Sequence, residues 1–294
     1  TNGYGYLLNS IIFRINDSGV LVLQCSKGAD NSEIITDAAV VATGKWYHVA
    51  ATISSQGEAN IYIDGKSVKS GGVYIPVNDY RKNNWLGKST WSSDKYFSGA
   101  MDEVSFWSKA LTPSEIVNAK AKGFAGWEPN LIAYYTFDQG VVGGVNSSIT
   151  SLTNKTTNVF NGTLTNFALS GNSSNWIKGV DVEHKLLMSE STLSYGCLAN
   201  ESKRIKIASN IEWVLSGTAE WLGISQNSGS GDATLILTAL QANNASTERT
   251  VTLTLKGKDD SMTTTLTVSQ SGVTPTLVIK EEGDFVFEKV SNNA

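Results

Sequence analysis

Along the first 145 residues apolar and polar positions alternate in short runs, broken by Gly, Asn, Asp and Ser, and this period of two predicts strands. In residues 46–53 Tyr47, Val49, Ala51 and Ile53 face one way and Trp46, His48, Ala50 and Thr52 the other, the signature of a half-buried strand. Ile61-Tyr62-Ile63 and Lys66-Ser67-Val68 flank Asp64-Gly65, a dipeptide that tolerates positive φ at both turn positions, so a β-hairpin is expected. One helix interrupts the pattern. Thr112 is placed as N-cap, Pro113 as N1 and Glu115 as the N3 member of a capping box, with Leu111 and Ile116 as a hydrophobic staple and Gly123 as a left-handed C-cap. Residues 131–137 return as a strand, ended by Asp138-Gln139-Gly140.

Residues 145–181 turn to Ser, Thr, Asn and Gly, and are expected to add an edge strand at 161–169 and to dock Trp176. Strand-like runs then recur at intervals of about ten residues through 205–208, 213–216, 221–225, 235–239, 250–255 and 264–269, the spacing of a small sandwich. Val251, Leu253 and Leu255 alternate with Thr250, Thr252 and Thr254, which gives one apolar and one hydroxylated face. The last 22 residues repeat, in part, the pattern that opens at Lys185, and read as the start of a further module.

The 294 residues suggest two domains large enough to fold without disulfides or structural metal. With 40% hydrophobic and 17% charged residues the chain is neither disordered nor fibrous. Twenty-three basic against 27 acidic residues, with one small basic cluster at Lys203, Arg204 and Lys206, argue against nucleic acid as a partner. No apolar run reaches the 18 or more residues of a spanning helix, and residues 1–8, TNGYGYLL, carry no signal-peptide pattern. Cys25 and Cys197 are read as two buried thiols. His48 and His184 are the only histidines, and with no CxxC, HExxH or GxSxG neither structural zinc nor a hydrolytic triad is expected. The Asn-x-Ser/Thr triplets at Asn154, Asn161, Asn172, Asn200 and Asn244 are at chance level for so Ser/Thr-rich a chain.

The candidate binding chemistry lies between residues 80 and 96. Sugar recognition needs aromatic faces against pyranose rings and a few polar groups to orient them, and Tyr80, Arg81, Asn83, Trp91, Asp94 and Tyr96 supply both. The competing packing reading places Trp85 and Leu86 on a strand with one of them in the core, and Trp91 at the sandwich edge. At least one of Tyr80, Trp91 and Tyr96 is expected to be exposed.

Residues 11–140, through GKWYHVAATIS, IYIDGKSV and NNWLGKSTWSSDKYFSGAMDEVSFWSKALTPSEI, resemble the laminin G-like, concanavalin A-like jelly-roll family. The resemblance implies a two-sheet antiparallel sandwich that binds sugars or proteins, sometimes with calcium. It departs from the family in lacking an opening strand of the TIEAWVK kind, so that either the chain was trimmed or the strand is supplied differently. Asp138 is the one candidate calcium ligand, because residues 145–159 hold no acid and a hard cation wants several oxygen ligands. Some concanavalin A-like folds hydrolyse glycans with carboxylates at i and i+2 of a strand. Here Asp102 and Glu103 are adjacent, which puts Asp102 with Val104 and Phe106 and Glu103 with Ser105 and Trp107 on opposite faces, while Asp64, Asp94 and Asp138 sit at turns. In the second half, Asn210 to Val214, Trp221 to Ser225, Asn243-Asn244, Arg249-Thr250-Val251 and Val268-Ser269-Gln270-Ser271-Gly272 resemble the BACON family, named for a Bacteroidetes-associated carbohydrate-binding role. Trp213 and Trp221 are read there as core.

The expected architecture is all-β, a concanavalin A-like jelly-roll sandwich at 1–180 followed by a smaller immunoglobulin-like β-sandwich at 181–272 and a truncated module at 273–294. The expected function is non-catalytic recognition of a glycan or glycoprotein by a multimodular protein, with neighbouring modules of the same polypeptide as further partners. A spacer or adhesin scaffold and a glycoside hydrolase are the alternatives. The family resemblances imply an extracytoplasmic location, at the cell surface or in the periplasm. No cofactor is expected, apart from calcium as the alternative at Asp138.

Overall fold

The computed structural model describes residues 9–78, 80–89, 91–156, 160–180, 182–258, 260–274, 276–279 and 285–288. Residues 1–8, and the parts of the expected third module at 280–284 and 289–294, lie outside the described residues. The chain divides into two compact units, Thr1–Val182 and Glu183–Ala294.

In the first unit, β1 (Ile11–Ile15), β2 (Leu21–Lys27) and β3 (Asp30–Ile35) form one antiparallel sheet in the order β1-β2-β3. A second is built by β4 (Val49–Ile53), β5 (Glu58–Ile63) and β6 (Lys66–Gly72), in the order β4-β5-β6. Leu21, Leu23 and Cys25 of β2 and Ile34 of β3 share one buried cluster with Ala59, Ile61 and Ile63 of β5 and with Val73, so the sheets face each other across a core. A Cβ on Gly71 would stand 2.7 Å from Ile34 Cγ2, so glycine is what lets β6 pass this close to β3. The core face is uncovered at one edge: Ile11, Phe13 and Ile15 register with Cys25, Leu23 and Leu21 yet remain solvent-exposed.

The expected hairpin joins β5 to β6, with Asp64 at φ 51° and Gly65 at φ 83°, the positive pair that an I′-type turn requires. Helix α1 (Pro113–Lys122) starts at Thr112 with the full capping box: the Thr112 side chain accepts from Glu115 N–H and the Glu115 carboxylate accepts from Thr112 N–H at 2.8 Å. Its C-cap differs from the expected left-handed one. Gly123 has φ 59° but ψ −154°, and its N–H closes onto Ala119 O. On either side of the helix in sequence, β7 (Val104–Trp107) pairs antiparallel with β8 (Leu131–Tyr135), and further on β9 (Ser151–Leu152) pairs with β10 (Gly162–Thr163). Ala133, Tyr135 and Leu152 form a smaller core with Val104, Phe137 and Leu164 against it.

Two strand expectations are corrected. The edge strand at 161–169 shrinks to Gly162–Thr163, because Asn166 and Leu169 take positive φ and break the extended backbone. No strand occurs among the described residues of 73–103, so Trp85 and Leu86 do not alternate into a core and both are exposed. Trp176 does dock: a Cβ at Gly140 would stand 2.2 Å from its ring, and Asn146 and Asn175 lace the surrounding loops together through a side-chain bond of 2.8 Å.

The second unit is a two-sheet sandwich. Its strands are β11 (Leu186–Met188), β12 (Thr192–Tyr195), β13 (Ser202–Ser209), β14 (Glu212–Ser216), β15 (Leu222–Ile224), β16 (Ser228–Ser230), β17 (Ala233–Ala239), β18 (Arg249–Gly257) and β19 (Thr263–Gln270). They form the sheets β11-β13-β17-β15 and β12-β19-β18-β14-β16. Leu253, Leu255, Leu266 and Val268 of β18 and β19 are fully buried, as the threonine alternation predicts, and Val251 packs partly buried against them. Trp213 is 1% exposed with its Nε1 donating to Gly231 O at 2.9 Å, and Trp221 is also buried, so both are core. A hairpin of β20 (Thr276–Ile279) and β21 (Phe285–Glu288) follows. Cys25 and Cys197 are free and buried.

Candidate functional site

The candidate residues lie on the irregular stretch that follows β6, which is held by hydrogen bonds within itself and by Arg81 and Lys95 to residues outside it. Arg81 donates from Nε to Asn9 O at 3.1 Å and from Nη2 to Val77 O at 2.9 Å. Asn84 Nδ2 donates to Arg81 O at 2.8 Å, Phe97 N–H donates to Gly87 O at 2.8 Å, and Lys95 Nζ pairs with Asp17 at 2.6 Å. Arg81 therefore holds backbone through two of its nitrogens. Its bond to Asn9 spans 72 positions of sequence, a separation no local pattern encodes.

The aromatics face outward. Tyr80 is 83% exposed, Tyr96 68% and Trp91 37%, and Asn83 and Asp94 are exposed beside them. Trp91 sits in a short turn whose Asp94 N–H donates to its carbonyl at 3.2 Å. Trp85, read from sequence as a partner of the core, is instead 50% exposed, with Lys88 Nζ 4.3 Å from its ring centroid. Trp85 belongs to the aromatic-rich run of residues 80–96 that the sequence singles out, and its exposure favours the surface reading over the strand reading; Lys88 and the exposed Phe97 are not among the residues named from sequence. Such a loop can offer π-faces to the apolar side of a sugar ring, with amide and carboxylate groups alongside.

The acids make a different arrangement. Glu103 has φ 52° and precedes β7, so strand alternation does not extend back to it and the expected opposite-face placement of Asp102 and Glu103 does not follow from β7. Asp102 Oδ1 accepts Glu103 N–H at 3.0 Å and Oδ2 accepts Val180 N–H at 2.9 Å. Burial raises the Asp102 carboxyl above its ordinary range, the negative charge of Asp138 adds to this, and the Val180 and Glu103 amides oppose it. Glu103 accepts a hydrogen bond from the Tyr134 hydroxyl, and burial first, then the Glu103 charge, drives that phenol far above its ordinary range. Asp138 is exposed and lies within electrostatic reach of both Asp102 and Tyr134. Among the described residues no group of three or more His, Cys, Asp or Glu side chains is disposed to hold a metal ion.

Residues 2–117 match the concanavalin A-like lectin/glucanases superfamily. That match includes the whole aromatic loop of the concanavalin A-like unit and ends within helix α1. Residues 212–271 match the BACON family, a domain with an ascribed binding role, over the strands from β14 to β19. Among curated proteins no sequence matches the chain. Solved structures similar to it include a Bacteroides ovatus protein to which carbohydrate binding is ascribed, 24% identical over 53% of this chain and 44% of that one, with a TM-score of 0.42. A Bacteroides ovatus GH5 xyloglucanase in complex with a XXXG heptasaccharide is 24% identical over 30% of this chain and 19% of its own, with a TM-score of 0.27. An S-layer domain-containing protein of Clostridium thermocellum is 18% identical over 41% of this chain and 69% of its own, with a TM-score of 0.26. The chain spans less than half the length of the two Bacteroides proteins.

In the BACON segment the residues that carry the resemblance are used for structure. Gln270 is fully buried; its Oε1 accepts from Arg249 Nε at 2.9 Å, and its Nε2 donates to Leu198 O and Gln241 O, both at 3.0 Å. Asn243 Nδ2 donates to Thr247 O and Gln270 O, and the Arg249 guanidinium lies 5.0 Å from the Trp221 ring centroid. These groups satisfy one another at the end of the sandwich.

Proposed function

We propose that the protein is a non-catalytic recognition module that binds a glycan or glycoprotein through the outward-facing loop of the concanavalin A-like unit, with the BACON unit as its spacer. The observation that carries this reading is the exposure of Tyr80 and Tyr96 on a loop that Arg81 ties to Asn9. Large aromatics left in water on a tethered loop lose little further freedom on stacking against a ligand. The match of the first unit to the concanavalin A-like lectin/glucanases superfamily supports the carbohydrate-recognition part of this reading.

The absence of catalysis in this reading rests on what the carboxylates are doing. In this reading the two acids serve structure: both oxygens of Asp102 accept backbone N–H groups, and Glu103 accepts a hydrogen bond from the Tyr134 hydroxyl. Export to the cell surface or periplasm belongs to the same reading, on the strength of the two family matches. Among the described residues no helix is long and apolar enough to cross a membrane.

The reading is tested on a panel of plant, mucin and bacterial glycans. Binding that Trp91→Ala and Tyr96→Ala weaken supports it. A blank panel with intact folding supports the spacer or adhesin scaffold instead, and release of reducing sugar from any polysaccharide on the panel supports a glycoside hydrolase.

A further inference from the structure

Helix α1 rests on the β5–β6 turn. A Cβ on Gly65 would lie 3.0 Å from Val117 Cγ2 of the helix, and Lys120 Nζ stands 3.5 Å from Asp64 Oδ1. Beneath that contact the chain enters β4 through His48, whose backbone is tied to the same turn: Asp64 N–H donates to His48 O at 2.8 Å and His48 N–H donates to Asp64 Oδ1 at 3.2 Å. The imidazole is partly buried, and its Nδ1 is sealed from solvent with no hydrogen-bond partner among the described residues. A buried ring nitrogen without a donor facing it is tolerable only while the ring is neutral.

We propose that His48 is an acid-sensitive latch, which holds helix α1 on the β4–β5–β6 sheet while its imidazole is neutral and releases the helix when it is protonated. The charged groups that bear on the ring come from both elements packed near it. Asp64, on the turn, favours the imidazolium, but its Oδ1 already accepts the His48 amide and lies beside Lys120. Lys120, on the helix, opposes it. Burial is the largest influence and also opposes the charge, so the imidazole is held below its ordinary range. Whichever nitrogen takes up the second proton, the imidazolium carries a proton on the sealed Nδ1, which has no acceptor. The element able to give way is the helix, whose single fully buried side chain is Ile116, and not β4, which is hydrogen-bonded along its length to β5.

The sign follows from linkage. The folded-state affinity of His48 for a proton is lower than that of the unfolded chain, so the helix contact is at full strength above about pH 6.5 and weakens as pH falls through the folded value. The test is amide hydrogen exchange over residues 112–123 in wild type and His48→Phe, each at about pH 7.5 and about pH 5, so that the ratio between proteins cancels the intrinsic pH dependence of exchange. Wild type is expected to lose about tenfold in protection relative to the variant between the two conditions, while the remaining strands keep theirs. Protection that follows pH identically in both proteins overturns the latch. If His48→Phe does not fold, His48→Gln replaces it, and NMR titration of the wild-type imidazole decides independently. With only two histidines in the chain, a His48 that titrates at or above about 6.5 also overturns the proposal.

Discussion

Asp102 Oδ2 accepts the Val180 backbone N–H at 2.9 Å, across 78 positions of sequence. A Cβ on Gly179 would come within 2.0 Å of the same oxygen, so the carboxylate is closed in by the backbone it holds. An acid so used fastens the C-terminal end of the first unit. Asp102→Ala removes both acceptors and leaves the Val180 and Glu103 amides without them, which is expected to cost about 1–3 kcal/mol in urea denaturation. Because burial raises the folded carboxyl, its ionisation opposes folding, and the penalty is lost as pH falls below its folded value. The deficit of Asp102→Ala relative to wild type should therefore widen on acidification through that range and narrow above it; the opposite trend would mean the group is stabilised as an anion.

Helix α1 depends on its first turn. Lys109 first, then the Thr112 amide, hold the Glu115 carboxyl down to about 2, so the stabilisation it lends is complete above its ordinary value of about 4.3 and is lost as pH falls toward 2. Thr112→Ala is expected to cost about 1 kcal/mol locally. Amide exchange in residues 113–122 should rise in that variant at neutral pH, with the sheets unchanged; a uniform rise across the unit would show that the cap serves the whole fold.

The two cysteines give a chemical readout of the cores. Both thiols are buried, and burial raises the Cys25 thiol, so neither should react with an aromatic disulfide in the native protein at about pH 8. Two equivalents per chain are expected after denaturation. Rapid native labelling of Cys25 would mean that the facing sheets of the first unit open readily.

Trp213 and Trp85 should separate core from surface. Trp213→Ala removes a 1% exposed ring and its bond to Gly231, at about 3–5 kcal/mol. Trp85→Ala removes a half-exposed ring and the Lys88 contact, at under about 1 kcal/mol. Similar losses at the two positions in guanidinium titration would place Trp85 in a core after all.

The features legible in the sequence are those decided within a few residues. Asp64-Gly65, Thr112-Pro113-Ser114-Glu115 and the Thr/aliphatic alternation of β18 and β19 each state their own geometry, and the structure has all three. What escaped is decided at long range or by rare backbone. Glu103 takes a left-handed φ without being glycine, which shifts the parity on which the Asp102–Glu103 argument relied. Arg81 reaches Asn9 and so becomes a brace for the loop. Trp85 and Leu86 alternate over only two positions, too few for periodicity to tell a strand from a tethered loop.

The most direct test of glycan recognition compares wild type with the Tyr80→Ala/Tyr96→Ala double variant on one glycan panel, with equal unfolding midpoints shown beforehand. The account predicts at least one glycan bound by wild type and held about tenfold or more weakly by the variant, a loss of about 1.4 kcal/mol or more. Equal binding by both proteins, or none by wild type, would contradict it.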